Sequence, residues 1–282
     1  MTIPVYFLNE REAVLLDSGY AEGDREALDE LLGERNVRVR AVLGSHSHND
    51  HNGNHAYFQK VHGAEVILRD VEAAIVSDFS LLTAAYSPGT ARELEKELPW
   101  MLLRADRVFS ALDTAVEVDG RSFGLIPLPG HTPGHTGIVT PDDVLYVGDA
   151  VLSHQILRAA KLPSTTDWAR DIESKRRLQS MQYPWYILAH SGAYREIGEL
   201  AEKNITDKLQ RAAQIYTWLR QREEWTQNDI EQLLWEKLGL HSRAFLTQTV
   251  FQRNVRSAVE YLVQDGRLVR EFRDGTCRYH GC

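Results

Sequence analysis

The chain has 282 residues, 43% of them hydrophobic, which is enough apolar material for a sizeable buried core. Its formal net charge of −8 argues against avid, non-specific binding of a polyanion. No apolar run reaches the roughly 18 residues of a membrane span, and residues 1–8 lack a signal peptide's basic start, so we expect a cytoplasmic protein with no membrane partner.

The first 200 residues alternate short apolar runs with helical stretches. Strands are predicted over residues 5–8 and 13–16, and a helix follows in which Leu28, Leu31 and Leu32 have helical spacing. Further strands are predicted over residues 37–43, 65–68, 123–128, 138–139, 144–147 and 186–189. This alternation indicates a layered α/β core rather than a helical bundle.

Residues 77–109 form an insertion that is apolar in patches. Thr90 and Glu93 have the spacing of a capping box, which predicts a helix directly after a turn at Ser87-Pro88-Gly89. The insertion is interpreted either as a lid or as a helix hairpin packed on the core, and the sequence favours neither.

From Thr206 the pattern becomes helical. Helices are predicted over residues 206–221, 228–238 and 248–263, and a two-stranded ribbon over residues 268–272 and 277–280. Three helices and a terminal hairpin are typical of a winged helix. We therefore divide the chain into a larger domain, residues 1–200, and a small winged-helix-like domain, residues 201–282.

A winged helix suggests nucleic-acid binding by its third helix, which here carries Arg253 and Arg256. Residues 206–282 contain 12 Lys and Arg against 10 Asp and Glu, so their positive charge is slight. Nucleic acid is therefore a less favoured partner than a small molecule, and a homodimer stays open. The two cysteines, Cys277 and Cys282, are interpreted as free thiols in the tail.

Metal-type ligands follow four of the predicted strands. Three imidazoles and a carboxylate occupy six positions after strand 37–43, and single ligands follow three later strands: His46, His48, Asp50, His51, His131, Asp149 and His190. A lone histidine is more often an ordinary hydrogen-bonded residue, but ligands at strand ends converge where strands emerge on one side of a sheet. Imidazoles and carboxylates without thiolates suit Zn²⁺, with Mn²⁺ or Fe²⁺ as alternatives, and this many ligands can hold two ions.

These motifs resemble, in order and approximate spacing, the five motifs of the metallo-β-lactamase superfamily over roughly residues 4–200. The resemblance implies an αββα sandwich. It also implies one ion on His46, His48 and His131, a second on the other ligands, and Asp149 as the bridge between them. Asp17, at the end of an early strand, would orient the ligands.

Departures within the superfamily narrow the chemistry that the resemblance implies. Flavodiiron oxygen reductases have a glutamate where His48 stands, and many true lactamases have a cysteine where Asp149 stands. This pattern is similar to the glyoxalase II, lactonase and ribonuclease Z type of site, which is hydrolytic. Mononuclear iron sulfur dioxygenases share many of these ligands, so redox chemistry is the disfavoured alternative.

Two divalent cations would acidify a water molecule to a pKa of about 7 and stabilise a developing anion, and Asp50 is the candidate catalytic residue that carries a proton to the leaving group. The favoured function is hydrolysis of an ester, thioester or lactone of a small molecule, because the charge is acidic and residues 81–86 and 151–162 are apolar. A metallo-endoribonuclease, known from the branch with a C-terminal winged helix, is the alternative. A transcription regulator with a ligand-sensing metal domain is less favoured.

Other candidates are weaker. His135 is interpreted as structural or as supporting a ligand, and His154 either as lining the substrate pocket or as an ordinary loop residue. His55 and His62 are interpreted as surface or packing residues. Tyr20 and Tyr194 are candidate donors to a substrate oxygen.

Overall fold

The computed structural model of the protein describes residues 1–86 and 89–282. Its larger part contains, in chain order, β1 (Val5–Phe7), β2 (Glu12–Leu16), α1 (Asp24–Glu34), β3 (Arg38–Leu43), α2 (Asn49–Asn52), α3 (His55–His62), β4 (Glu65–Arg69), α4 (Asp70–Ile75), α5 (Phe79–Tyr86), α6 (Ala91–Glu97), β5 (Arg107–Phe109), β6 (Ala115–Val118), β7 (Arg121–Pro127), β8 (Thr136–Val139), β9 (Val144–Gly148), α7 (His154–Ala159), α8 (Trp168–Gln179), β10 (Trp185–Leu188) and β11 (Gly192–Tyr194). The C-terminal part contains α9 (Gly198–Leu219), β12 (Trp225–Thr226), α10 (Gln227–Lys237), α11 (Phe245–Gln264), β13 (Leu268–Arg273) and β14 (Thr276–Gly281).

Two mixed sheets face each other across the main core. The first has the order β1-β2-β3-β4-β5, in which β2 to β5 are parallel, and the second has the order β11-β10-β9-β8-β7-β6. The inner faces meet in a buried cluster that includes Leu16 and Leu43 from the first sheet and Phe123 and Tyr146 from the second. The parallel strands have nearly continuous apolar runs because parallel strands are covered on both faces, here by the second sheet and by helices.

Helices cover the outer face of each sheet. Leu28 and Leu32 of α1 and Phe58 of α3 pack on the first sheet. Leu178 of α8 and Leu200 of α9 pack on the second. The layers are therefore helix, sheet, sheet and helix, and the predicted αββα sandwich is confirmed.

Each strand predicted in the larger part is present within two residues of its expected bounds. Sequence reasoning missed β5, β6 and β11, which have three or four residues each. So few positions give no clear alternation of apolar and polar residues, and pairing with a longer neighbour is what orders these strands.

The insertion is a helix hairpin packed on the core. Leu82 of α5 and Leu94 of α6 join a buried cluster with Val66 and Leu68 of β4. The capping box is present, because the Glu93 amide donates to Thr90 Oγ1 at 3.3 Å and the Thr90 amide donates to the Glu93 carboxylate at 2.8 Å. Residues 87 and 88, in the predicted turn, lie outside the described residues.

The three C-terminal helices and the hairpin that the sequence predicts are present, with a short third strand in the order β12-β14-β13. The first helix begins at Gly198 rather than at Thr206, and it contributes both to the core of the larger part and to the C-terminal core. The proposed division at residue 200 falls inside this helix. That division and the winged-helix assignment stay predictions.

Helix α11, which would read nucleic acid in a winged helix, packs one face against the larger part. The Asn254 amide donates to the carbonyl of Leu162 at 3.3 Å, and the Ser257 hydroxyl donates to the carbonyl of Thr165 at 2.6 Å. This contact places α11 across a cavity from Ser47 and His48, which follow β3. Among residues 1–86 and 89–282, the structure contains no helix with the length and apolar character that crossing a membrane requires.

Candidate metal centre

The seven predicted ligands lie together at one edge of the sandwich, where β3, β7, β9 and β10 end. The segment after β3 is tied to the second sheet, because the Thr136 amide donates to the Ser45 carbonyl at 2.9 Å. The two sheets thus bring together side chains from four separate stretches of sequence. They form two groups whose candidate ligand atoms lie within 4.8 Å of one another: His46, His48 and His131, and Asp50, His51, Asp149 and His190.

The first group consists of three ring nitrogens that point at a common centre. His48 Nδ1 lies 3.1 Å from His46 Nε2 and 2.9 Å from His131 Nε2. Nitrogens bound to one tetrahedral Zn²⁺ ion at about 2.0–2.1 Å lie about 3.3 Å apart, so only a small outward movement would fit an ion between them.

The second group surrounds the carboxylate of Asp149. Its Oδ1 lies 3.5 Å from His51 Nε2 and 3.3 Å from His190 Nε2, and its Oδ2 lies 3.4 Å from His131 Nε2. Asp50 Oδ2 lies 3.3 Å from His190 Nε2. One carboxylate therefore faces both groups, with one oxygen toward each.

The two groups have the chemistry that a pair of divalent cations needs. His51 Nε2 and Asp149 Oδ1 are buried without a hydrogen-bond partner in the described part of the chain, which is costly unless an ion or ligand satisfies them. Nitrogen and oxygen ligands suit Zn²⁺, Mn²⁺ or Fe²⁺. Both cysteines lie in β14 or at the chain end, outside these groups.

The histidines of the two groups differ in the direction of their pKa shifts. Burial lowers the pKa of His46 and of His131 well below the usual value, so these imidazoles are neutral and can donate a lone pair. Burial also lowers the pKa of His51, but Asp149 and Asp17 outweigh it and hold that pKa well above its usual value. Burial raises the pKa of Asp50, yet the hydrogen bond from His190 and the charge of His51 leave it at about 2. Asp50 and Asp149 thus stabilise positive charge within the second group.

The outer nitrogens of the ligand histidines are held by fixed partners. His131 Nδ1 donates to the Ser164 carbonyl at 2.9 Å, and His51 Nδ1 lies 2.7 Å from Asp17 Oδ2. Such contacts fix the tautomer and aim the other ring nitrogen inward.

Asp17 is a positioning residue for the second group. Its oxygens accept from the Ser45 amide at 2.6 Å, the Ser45 hydroxyl at 2.6 Å and the Tyr146 hydroxyl at 2.7 Å, besides contacting His51. It is fully buried with φ of 61°, a conformation that Asp and Asn tolerate better than most residues. Because these donors already occupy its oxygens, Asp17 is placed to orient His51 rather than to bind an ion.

Replacing Asp17 with asparagine is therefore expected to weaken metal binding about 10-fold to 100-fold, the usual cost of losing such an outer contact. Titration of the metal-free protein with Zn²⁺ against a chromophoric chelator measures this. The exposed Asp70→Asn is the matched control. Equal Zn²⁺ affinities for wild type and Asp17→Asn would contradict the assigned role.

Glu72, in α4, was missed by sequence reasoning. Its side chain is buried and accepts from the Ser47 amide at 3.0 Å, the Thr132 hydroxyl at 2.7 Å and the Gly134 amide at 2.6 Å. It thereby ties the loop that carries His46 and His48 to the loop that carries His131. An acidic residue in the first turn of a helix is so common that its sequence position gives no signal.

The weaker candidates from the sequence lie outside both ligand groups. His135 is buried and its Nε2 accepts from the Asp149 amide at 3.1 Å, so it supports a ligand from outside both groups. His55 is fully buried against Ser18, and His62 accepts from Val39 at a half-buried position. His154 is exposed at the start of α7, and Tyr194 packs against the cluster between the second sheet and its covering helices. Tyr20 lies near Asp50 and Asp149, and burial together with their charges raises its pKa.

Two cavities adjoin the candidate metal centre. The first, of 540 Å³, is bordered by Ser47 and His48 and walled by apolar side chains of the insertion and of α11, among them Leu82, Tyr86, Leu94, Leu246 and Val250. The second, of 480 Å³, is bordered by His131 and Asp149. Lys161 and Ser164 line both, so the cavities meet beside the ligands.

Comparison with known proteins agrees with this geometry. The sequence pattern of the Metallo-beta-lactamase superfamily matches residues 2–190. The chain therefore belongs to the metallo-beta-lactamase superfamily.

Two curated proteins are similar to this chain in sequence. It is 27% identical over 203 residues to hydroxyacylglutathione hydrolase GloC of Haemophilus influenzae, covering 70% of this chain and 87% of that protein. It is 24% identical over 250 residues to an atrochrysone carboxyl ACP thioesterase of Aspergillus fumigatus, covering 86% of this chain and 65% of that protein. The likeness to the second relative therefore extends into the C-terminal part.

Two solved structures of similar fold cover nearly the whole chain. A metallo-beta-lactamase family protein of Thermus thermophilus has a TM-score of 0.72 at 22% identity, over 99% of this chain and 94% of that one. A beta-lactamase domain protein of Burkholderia ambifaria has a TM-score of 0.69 at 17% identity, over 99% and 87%. These likenesses show that the fold extends through the C-terminal helices.

Proposed function

We propose that this member of the superfamily is a hydrolase that uses two divalent cations, Zn²⁺ in the first instance, on an ester, thioester or lactone of a small molecule. One observation carries the proposal: the Asp149 carboxylate lies between two groups of ligands and presents one oxygen to each. His46, His48 and His131 would hold one ion. Asp50, His51 and His190 would hold the other, with Asp149 shared.

Such a pair of ions supplies a nucleophile at neutral pH and stabilises the anion that develops on the attacked carbonyl oxygen. The protein's own groups complete the reaction. With a pKa of about 2, Asp50 is ionised at neutral pH and its Oδ2 faces His190. We assign to its other oxygen, Oδ1, the transfer of a proton from the attacking water to the leaving group.

The 540 Å³ cavity supports a small apolar acyl group as the part of the substrate next to His48. Its volume lies within the usual range for small-molecule sites, roughly 300–1,000 Å³. The apolar residues 81–86, noted in the sequence, supply part of its wall through Leu82 and Tyr86. Tyr86 is fixed there because its hydroxyl lies 2.9 Å from Ser47 Oγ and its ring packs 4.9 Å from the ring of His48.

The relatives favour the same reaction, since one is named a hydrolase of a hydroxyacylglutathione and another a thioesterase. From the sequence alone, nucleic-acid contact by Arg253 and Arg256 of α11 is a less favoured alternative. Arg253 borders the apolar cavity and its neighbour Asn254 is bonded to the larger part, whereas Arg256 is exposed. The position of Arg253 and Asn254 supports a role for this face of α11 in closing a small-molecule site.

Thioesters of increasing acyl length on one thiol are therefore expected to be hydrolysed with rising kcat/KM, by up to about fourfold per methylene, because each buried methylene contributes about 0.8 kcal/mol. The Zn²⁺-loaded protein is assayed with acetyl to octanoyl thioesters, a set of lactones and single-stranded RNA. Metal content is measured on the same preparation. Removal of the metal with a chelator should abolish activity, and Zn²⁺, Mn²⁺ and Fe²⁺ are compared in restoring it.

Two outcomes would contradict the proposal. Cleavage of RNA with no turnover of any thioester or lactone would indicate the endoribonuclease. Specific DNA binding by a protein that hydrolyses none of the substrates would indicate a regulator.

A further inference from the structure

The cavity of 480 Å³ beside the metal centre is lined by more cations than its carboxylates can neutralise. It is bordered by His131 and Asp149, and its wall contains four cationic side chains: Lys161, Lys175, Lys208 and Arg211. Four cations in so small a space repel one another unless carboxylates or a bound anion compensate them.

The carboxylates at this cavity are largely committed elsewhere. Asp149 belongs to the candidate metal centre. Asp207 is paired with Lys203 at 2.5 Å, and its charge also acts on Arg211, where it opposes the lowering of the pKa by burial. Of the described residues that line the cavity, this leaves Asp171 for the buried ammonium groups. Its Oδ1 lies 2.5 Å from Lys175 Nζ and its Oδ2 lies 2.6 Å from Lys208 Nζ. Two buried ammonium groups therefore share one carboxylate. Lys208 also lies over the ring of Trp168, 5.1 Å from its centroid, which compensates its charge only in part.

The two ammonium groups also have unused donors. The side chains of Lys175 and Lys208 are only 5% and 9% exposed. Within the described ranges, Lys175 donates to Asp171 alone, while Lys208 donates also to the Thr165 hydroxyl at 2.8 Å. Each ammonium has three N–H donors, and a buried charge that lacks partners is costly. Although burial lowers the pKa of Lys208, the value of about 8 leaves it protonated at pH 7.

This cationic pocket is connected to the metal centre through two consecutive residues. Lys208 Nζ donates to the side chain of Thr165, and the carbonyl of the preceding Ser164 accepts from His131 Nδ1 at 2.9 Å. Ser164 also lines the apolar cavity, as does Lys161. A substrate whose acyl group fills the apolar cavity would therefore direct its alcohol or thiol portion toward Lys208.

We propose that the pocket lined by Lys175, Lys208 and Arg211 binds an anionic group, a carboxylate or a phosphate, on the alcohol or thiol portion of the substrate. The proposal rests on the proposed function and specifies its substrate class. The substrate has an apolar acyl group on one side of the scissile bond and a negative charge on the other. The structural alternative is that the cluster only joins α8 to α9.

Three hexanoyl thioesters with one acyl group and different thiols test this. Coenzyme A carries phosphates, glutathione carries carboxylates, and N-acetylcysteamine is neutral. In buffer free of phosphate and sulfate, the wild-type protein is expected to hydrolyse at least one anionic thioester with a kcat/KM at least tenfold above that of the neutral one. The preferred anionic thioester identifies the anion.

Lys208→Met is the variant to compare, because it leaves Asp171 paired with Lys175. Losing one charge-assisted hydrogen bond should raise KM for the anionic thioester about 10-fold to 100-fold, with kcat little changed. Activity on the neutral thioester should stay within about threefold. Arg211→Gln, which removes a partly buried cation at the same wall, should act in the same direction, and the exposed Lys237→Met is the control. Thermal unfolding of each variant checks its fold.

Calorimetric titration with free coenzyme A and free glutathione separates this inference from the function on which it rests. Binding that weakens at least tenfold in Lys208→Met supports the anion site even if no thioester is hydrolysed, in which case the proposed function alone fails. The inference is overturned if the neutral thioester is hydrolysed as well as the anionic ones. It is also overturned if Lys208→Met changes neither the preference nor the binding of the thiols.

Discussion

Replacing Asp149 with asparagine is expected to lower kcat/KM for a hexanoyl thioester at least about 10³-fold, the largest effect of any substitution considered. Asparagine keeps the size of the side chain but removes its charge and one of its two acceptor oxygens. Since one oxygen faces His131 and the other faces His51 and His190, the change affects both groups of ligands at once.

The measurement combines steady-state hydrolysis with metal content per chain. We expect Asp149→Asn to bind fewer than two ions at a Zn²⁺ concentration that saturates the wild-type protein. Asp143→Asn is the matched control, because Asp143 is exposed just before β9 and its φ of 61° suits asparagine equally. Retention of both ions and of activity in Asp149→Asn would disprove the bridging role.

The second large effect concerns stability. Asp171→Ala is expected to lower the free energy of unfolding by about 3–5 kcal/mol, because it leaves two buried ammonium groups without their carboxylate. Burial by itself raises the pKa of Asp171, but Lys175 and Lys208 outweigh it, and the net pKa lies below the usual 3.8. A lowered folded-state pKa means that this stabilisation is present above about pH 4 and is lost as the pH falls further.

Chemical denaturation at pH 7 and at pH 3 tests both statements. The difference between wild type and Asp171→Ala should be large at pH 7 and smaller at pH 3. Asp265→Ala, which breaks the surface ion pair with Arg267, is the control and should cost no more than about 1 kcal/mol. A loss of under about 1 kcal/mol for Asp171→Ala at pH 7 would show that water already compensates the lysines.

The layered fold and its longer strands could be predicted from the sequence because they depend on local patterns. The buried runs in β3 and β9 are continuous apolar stretches, and turn residues end them. The sequence does not distinguish between a lid and a packed hairpin for the insertion, since the apolar residues of α5 and α6 suit both. Only the contact of Leu82 and Leu94 with β4 decides for the packed hairpin.

The start of α9 shows a different limit. The sequence places it at Thr206, where the residue pattern becomes helical, but the helix begins at Gly198 because its first turns pack on the second sheet through Leu200 and Ala201. Packing against a distant element thus extends a helix beyond its own periodic pattern.

The sequence by itself determined which side chains could be ligands, because each follows a strand in a short motif and because histidines and aspartates are rarely so dense without a reason. Tertiary structure alone decided how those ligands are supported and what surrounds them. Glu72, Tyr86, Lys208 and α11 reach the centre from positions far along the chain, and each is a residue or helix of ordinary kind. The physical reason is that the ligand residues at a strand end lie within a short segment of sequence, whereas the burial and charge of a cavity arise only when separate elements pack together.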